Sequence, residues 1–177
     1  DTSILIKNKE QIPKVLKLLK FFYKISGLRI NIEKSIAFQI SADFGKEVNG
    51  STCGLKWETE YISLLGLSIT NSEAQNYSLN FQSKIQSIES LTRIWGQRKL
   101  SLKGKISVIN ALLLPKLVYP STNLVIPNRV YDEVENILFK FLWDNKPHKI
   151  KKCVIIRKIE EGGLKMPDFK LKAKSWR

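Results

Sequence analysis

The chain has 177 residues, 43% of them hydrophobic and 26% charged, a globular balance that excludes a charge-rich disordered tract. Thirty Lys and Arg against 16 Asp and Glu leave a formal net charge of +14. No run of eighteen apolar residues and no basic-then-apolar leader is visible, so neither a membrane span nor a secreted protein is expected.

Residues 2–6, Thr-Ser-Ile-Leu-Ile, are β-branched and apolar and predict a short buried strand. From Glu10 to Ser26, Ile12, Val15, Leu18, Leu19, Phe22 and Ile25 recur at helical spacing, with Pro13 in the first turn and Gly27 just past the end. Residues 28–32 and 36–40 alternate apolar and polar side chains and predict two strands joined by a turn at 33–35. Residues 41–60 carry Gly45, Gly50 and Gly54 among polar residues and predict a loop or insertion. Residues 61–70 predict one strand bent at Gly66.

Beyond Asn71 the pattern turns helical. Phe81, Ile85, Ile88, Thr92 and Trp95 form one stripe; Leu102, Ile106, Ile109 and Leu113 form a second, capped by Ser101 and stopped or kinked by Pro115. A third helix starts after Pro127 with Asn128 as its cap, places Asp132 and Glu133 toward its positive end, and buries Val134, Ile137, Leu138 and Phe141. After a break at 144–147, the tail has a Gly162-Gly163 turn and a helix start at Pro167-Asp168. Trp95, Trp143, Phe139 and Phe141 fall at core spacing. Cys53 and Cys153, far apart with His148 as their only companion, predict reduced thiols rather than a zinc site.

Charge is the first functional clue. Residues 1–73 hold 10 basic and 8 acidic side chains, whereas residues 74–177 hold 20 and 8, a surplus of 12. Such a surface attracts polyanions and releases their counterions, which favours nucleic acid; a solvated face or an acidic protein partner is the alternative.

Five ordered blocks carry a family resemblance. Gly27-Leu28-Arg29-Ile30-Asn31-Ile32-Glu33-Lys34-Ser35 and Leu64-Leu65-Gly66-Leu67-Ser68-Ile69 resemble the palm-end block and the following strand of non-LTR (LINE-type) retrotransposon reverse transcriptases. Gly104 to Asn110 with Leu114-Pro115-Lys116-Leu117-Val118-Tyr119, then Phe139 to Trp143, then Gly162 to Phe169, resemble thumb words of the same family in the same order. Asp1-Thr2-Ser3-Ile4-Leu5-Ile6 looks like the second aspartate of the family's Ala-Asp-Asp turn and the strand after it, as if the chain began in mid-palm.

The resemblance implies an α+β fold, with short antiparallel palm strands and one helix followed by a mostly α-helical thumb. It implies residues 1–70 as the palm end with the primer-grip strand, 71–147 as helical thumb and 148–177 as a basic connector. The implied function is RNA-directed DNA synthesis on an RNA template and DNA primer, with the upstream palm and fingers of the same polypeptide as partners. Mg²⁺ would serve the complete enzyme, held by hard carboxylate ligands. Asp1 is the one catalytic, metal-binding aspartate implied here, so the chain alone is expected to be inactive and to expose apolar surface meant for the rest of the palm. The family works in the nucleus, with a cytoplasmic ribonucleoprotein stage.

Residue roles follow. Leu65, Gly66 and Leu67 would grip the primer through the backbone, a missing Cβ at Gly66 letting the main chain approach a sugar-phosphate; a ligand-free bulge is the alternative. Lys34 would place its ammonium near the leaving pyrophosphate, to stabilise developing negative charge or donate a proton, or is a solvated turn lysine. Asn31 would satisfy backbone groups at the turn. Lys99, Lys103 and Lys105 surround a helix start that favours phosphate, and Lys149, Lys151, Lys152, Arg157 and Lys158 form a second cluster on an expected strand or ribbon. The rivals are a group II intron maturase-like reverse transcriptase and a non-enzymatic basic RNA-binding remnant.

Overall fold

Helix α1, Gln11–Ser26, forms where the apolar repeat places it and ends at Gly27, whose φ of 74° supplies the left-handed terminus. The computed structural model describes residues 2–40, 54–147 and 149–176; Asp1, Cys53, His148 and most of the expected 41–60 loop lie outside them. The chain divides into two units, Asp1–Ile62 and Ser63–Arg177.

In the first unit the stripe of α1 stays largely in solvent. Ile12 alone is buried, while Leu18, Phe22 and Ile25 are exposed. The apolar run at 2–6 forms no strand and is exposed, because a strand needs a neighbour for its backbone groups and none lies beside it among the described residues. Residues 28–32 are likewise not a strand. Instead Asn31 starts a turn: its Oδ1 accepts from the Lys34 amide at 3.1 Å and its carbonyl from the Ser35 hydroxyl at 2.7 Å. The role expected for Asn31 is therefore met. Strand β1, Ile36–Phe38, pairs with β2, Lys56–Glu58, inside the stretch expected to be loop. The pair is parallel rather than antiparallel, with Ala37 opposite Trp57. The connection from 39 to 55 is long enough for the crossover that parallel pairing requires.

The expected strand at 61–70 is two strands. β3, Tyr61–Leu64, and β4, Leu67–Thr70, pair with each other across a two-residue turn at Leu65 and Gly66, with φ of 50° and 79°. Two consecutive positive φ values are what a type I′ hairpin turn requires, so Gly66 closes a turn instead of bending a strand. The boundary between units falls within β3, and β4 groups with the helices rather than with the strands before it.

Helix α2, Glu73–Asn76, is capped by the Ser72 hydroxyl and runs through a π turn, Tyr77–Phe81, into α3, Gln82–Gly96. α4, Leu102–Val108, starts at its Ser101 cap and opens into a second π turn, Ile109–Leu113, before α5, Pro115–Asn123. Pro115 thus does not stop the helical path. It has no amide to donate and would crowd the carbonyl four residues back, and the wider turn, closed by Leu114 N–H to Ile109 O at 3.0 Å, accommodates it at the first position of α5.

Helix α6, Asn128–Leu142, has Pro127 as its N-cap, so Asn128 is the first helical residue rather than the cap. It buries Val130, Val134, Leu138, Phe139, Phe141 and Leu142, and α3, α4 and α8 (Phe169–Ser175) pack against it. Trp143 is buried with them, as expected for core aromatics, and Trp95 packs half-buried at the margin.

The tail joins this core. Its basic segment forms one helical turn, α7 (Lys152–Ile156), not a strand. Only Ile155 of its apolar residues is fully buried, because the spacing matches no two-residue alternation. Ile155, Met166, Phe169 and Ala173, from the segment expected to be a basic connector, all enter the core. The Gly162-Gly163 turn folds back on α7: Leu164 and Met166 N–H both donate to Ile155 O, and Lys165 N–H to Arg157 O. Asp168 caps α8 through Leu171 N–H, at the expected start.

A Cβ on Gly163 would sit 2.2 Å from the Arg157 carbonyl oxygen. Gly163→Ala should therefore destabilise the unit by about 3 kcal/mol, since the obstruction is backbone. Urea denaturation followed by circular dichroism checks this, and an unchanged midpoint would contradict the packing.

Candidate nucleic-acid interface

A two-stranded hairpin is marginal by itself, so the position of the β3–β4 tip depends on what holds it. Asn80, buried in the first π turn, holds the base. Its Oδ1 accepts from Ser68 N–H at 2.9 Å, and its Nδ2 donates to Ser68 O at 2.8 Å and to Asn76 Oδ1 at 3.0 Å. Asn76 in turn donates to Val125 O at 2.8 Å, which carries the restraint to the segment between α5 and α6. At the tip the Tyr119 hydroxyl donates to Leu65 O. Leu67 is buried, whereas Leu65 is 72% exposed and Gly66 is exposed with nothing within 4 Å of where a Cβ would stand. Of the three residues expected to touch a ligand, two are presented and one anchors.

The first lysine cluster separates in the same way. Lys99 and Lys103 are exposed around the start of α4 and make no ion pair among the described residues. Lys105 is only 3% exposed. Its ammonium donates to Leu142 O at 3.2 Å and to Asp144 Oδ1 at 2.6 Å, so it closes the C-terminal end of α6 and is not available to a phosphate. It stands two residues past Lys103, roughly 200° round the helix, so one of the two faces solvent and the other the core, which the charge pattern alone could not distinguish. The Ser101 hydroxyl also accepts from Gly104 N–H at 3.2 Å, which satisfies one of the amides the helix start would otherwise offer to an anion.

The second cluster is likewise mixed. Lys149, Lys151, Arg157 and Lys158 are exposed and make no ion pair among the described residues. Lys152 bridges Glu135 Oε2 at 2.7 Å and Asp168 Oδ2 at 3.4 Å, tying α7 to α6 and to the cap of α8. Partial burial disfavours its charged form, but the hydrogen bond to Glu135 and the charges of Asp168 and Glu135 outweigh it and hold its pKa above the ordinary lysine value. Lys152 is a brace rather than a surface cation.

A further internal group joins α6 to the first π turn. The Tyr77 hydroxyl donates to Glu133 Oε2 at 2.6 Å, Glu133 pairs with Arg129, and the Arg129 guanidinium lies 4.4 Å from the centre of the Tyr77 ring. Burial, with the Glu133 carboxylate beside it, pushes the Tyr77 phenol above its usual pKa, and the same carboxylate raises that of Arg129. Arg98 stacks on Trp95 at 4.4 Å near the end of α3.

Lys34 belongs to the first unit, in the Asn31 turn with its side chain exposed. Asp1 lies outside the described residues. Among the described residues no three His, Cys, Asp or Glu side chains gather where they could hold a metal ion. No described helix is long and apolar enough to cross a membrane. Cys153 is exposed and unpaired with any cysteine.

Asn80 and Tyr119 were missed as site residues. Asn80 directly precedes the Phe81 stripe but lies off its spacing, and the π turn that buries it leaves no mark in the sequence. Tyr119 ends the Leu114 to Tyr119 block, but nothing local says that its hydroxyl reaches back to Leu65. No protein-family model matches the sequence.

The internal role of Lys105 has a measurable signature. Lys105→Ala should cost about 3 kcal/mol of stability, through a cavity and an orphaned Leu142 carbonyl. Asp144→Ala, at the exposed end of the pair, should cost about 1 kcal/mol. Thermal and urea denaturation of both variants measure this; a Lys105→Ala protein as stable as its parent would return Lys105 to the free surface cations.

Proposed function

We infer that this chain is the template–primer grip of an RNA-directed DNA polymerase of the non-LTR retrotransposon type. Residues up to β4 correspond to the end of a palm and the helices that follow to a thumb. The observation that carries the reading is the β3–β4 tip. It is an exposed Leu65-Gly66 turn with no side chain on Gly66, anchored to the helical core by Asn80 and Tyr119. An open glycine turn lets backbone come within hydrogen-bonding distance of a sugar-phosphate. Lys99, Lys103, Lys149, Lys151, Arg157 and Lys158 supply solvent-facing cations that suit phosphate contacts without base readout. Lys34 is assigned to the same enzyme on the resemblance of its block alone. The partners are an RNA/DNA hybrid and the remaining parts of the polymerase, which would work in the nucleus with Mg²⁺.

The resemblance distinguishes this reading from its rivals by the Leu114 to Tyr119 and Gly162 to Phe169 blocks. A group II maturase-like thumb would not be expected to carry them, and a basic RNA-binding remnant would have no reason to present an anchored glycine turn.

Fluorescence anisotropy with labelled RNA/DNA hybrid, duplex DNA and single-stranded RNA tests the assignment. The chain should bind the hybrid at least as tightly as the other probes. Lys99→Gln combined with Lys103→Gln should weaken that binding by about tenfold at low salt, through lost phosphate neutralisation. Preference for single-stranded RNA would favour the RNA-binding module, and no effect of the double substitution would reject the first cluster as a contact.

A further inference from the structure

The Leu65–Gly66 peptide is the central peptide of the hairpin turn, and its orientation is the difference between two turn types. With both φ values positive the turn is type I′. Flipping that one peptide gives type II′, in which the second residue returns to negative φ while the flanking strands barely move. Local sequence favours type I′ at the second position, where Gly66 takes a positive φ freely, but gives neither type a suited residue at the first. Type I′ favours Asn, Asp or Gly at its first position and type II′ favours Gly there, whereas this turn has leucine. A left-handed leucine with an exposed side chain receives no local compensation.

A second restraint on that peptide comes from outside the turn. The Tyr119 hydroxyl, on α5, donates to the Leu65 carbonyl, which is the acceptor of that central peptide. In a planar trans peptide the carbonyl and the following N–H point in opposite directions. Holding Leu65 O toward α5 therefore aims Gly66 N–H away from α5 into solvent. Gly66 is exposed, an added Cβ there would meet nothing, and its amide donates to no group among the described residues. Asn80 fixes the other end of the lever, because it takes both backbone groups of Ser68 two residues past the turn.

We propose that Tyr119 is a positioning residue that locks the Leu65–Gly66 peptide so that the Gly66 amide is presented as a hydrogen-bond donor to a nucleic-acid phosphate. This rests on the hybrid-binding reading above. It adds which atom makes the contact and which distant side chain aims it. A phosphate oxygen is the matched acceptor: it is anionic and needs no base identity, and its approach requires the missing Cβ. Tyr119 itself touches no nucleic acid in this account.

The experiment is amide NMR on the ¹⁵N-labelled whole chain, titrated with a short RNA/DNA hybrid, for the parent and for Tyr119→Phe. In the parent the Gly66 amide proton should move downfield on binding, along with amides around Lys99 and Lys103. In Tyr119→Phe the free protein should keep its spectrum away from the turn, the Gly66 shift should be lost, and hybrid affinity should fall about fivefold, the worth of one hydrogen bond. If hybrid moves the Lys99 and Lys103 amides but not Gly66 in the parent, the positioning proposal is overturned and the hybrid reading stands; this arm needs no variant to fold. A Gly66 shift that survives Tyr119→Phe also overturns it. If hybrid moves no amide at all, the hybrid reading fails and takes the proposal with it.

Discussion

The second unit is organised by the burial of α6. Val130, Val134, Leu138, Phe139, Phe141 and Leu142 leave water, each at roughly 1.5–3 kcal/mol of favourable transfer before ordering costs are subtracted. So wide an apolar sector cannot be covered by one neighbour. α3, α4 and α8 each take part of it, and the tail adds Ile155 and Met166. Burying the end of such a helix leaves carbonyls without partners, and the Lys105 ammonium answers that need at Leu142. One lysine is thereby removed from the surface to complete the core.

The same packing decides which charges face outward. Among the described residues, four of the eight carboxylates of residues 74–177 are engaged by cations: Glu133 by Arg129, Asp144 by Lys105, and Glu135 and Asp168 by Lys152. Those pairs use only three cations. The surplus that the composition shows is therefore a property of the solvent-facing side chains, where Coulomb attraction for a polyanion acts over about a Debye length. The hairpin tip contributes a different kind of contact. It has no charge, but its backbone is unobstructed and its orientation is set by buried Asn80 and half-exposed Tyr119. On the proposed reading the two are complementary: diffuse attraction would concentrate a duplex and the backbone contact would give it a register.

Much of the helical architecture was legible because it rests on local rules. Gly27, Ser101, Pro127 and Asp168 all lie at or next to helix ends, and the stripes of α3, α4 and α6 are core as their spacing requires. What could not be read depends on partners distant in sequence. Residues 2–6 have the composition of a strand but no neighbour among the described residues, and α1 has the stripe of a packed helix while Leu18 and Ile25 face solvent. The segment at 61–70 looked like one strand because leucine is a poor signal for a left-handed turn. Lys105 and Lys152 looked like the lysines around them, since a charge pattern does not reveal which ammonium reaches a carbonyl or carboxylate decades of residues away. The pairing of β1 with β2 spans a long connection and was invisible for the same reason.

We propose that a cationic surface on the second unit holds a nucleic-acid duplex through its phosphates. The most direct test is the dissociation constant of the chain for an RNA/DNA hybrid, measured across a range of salt concentrations on two unrelated sequences. The account predicts a straight line of log Kd against log salt whose slope corresponds to several released counterions, the same for both sequences. Binding that ignores salt, or that exists for one sequence and not the other, would contradict it.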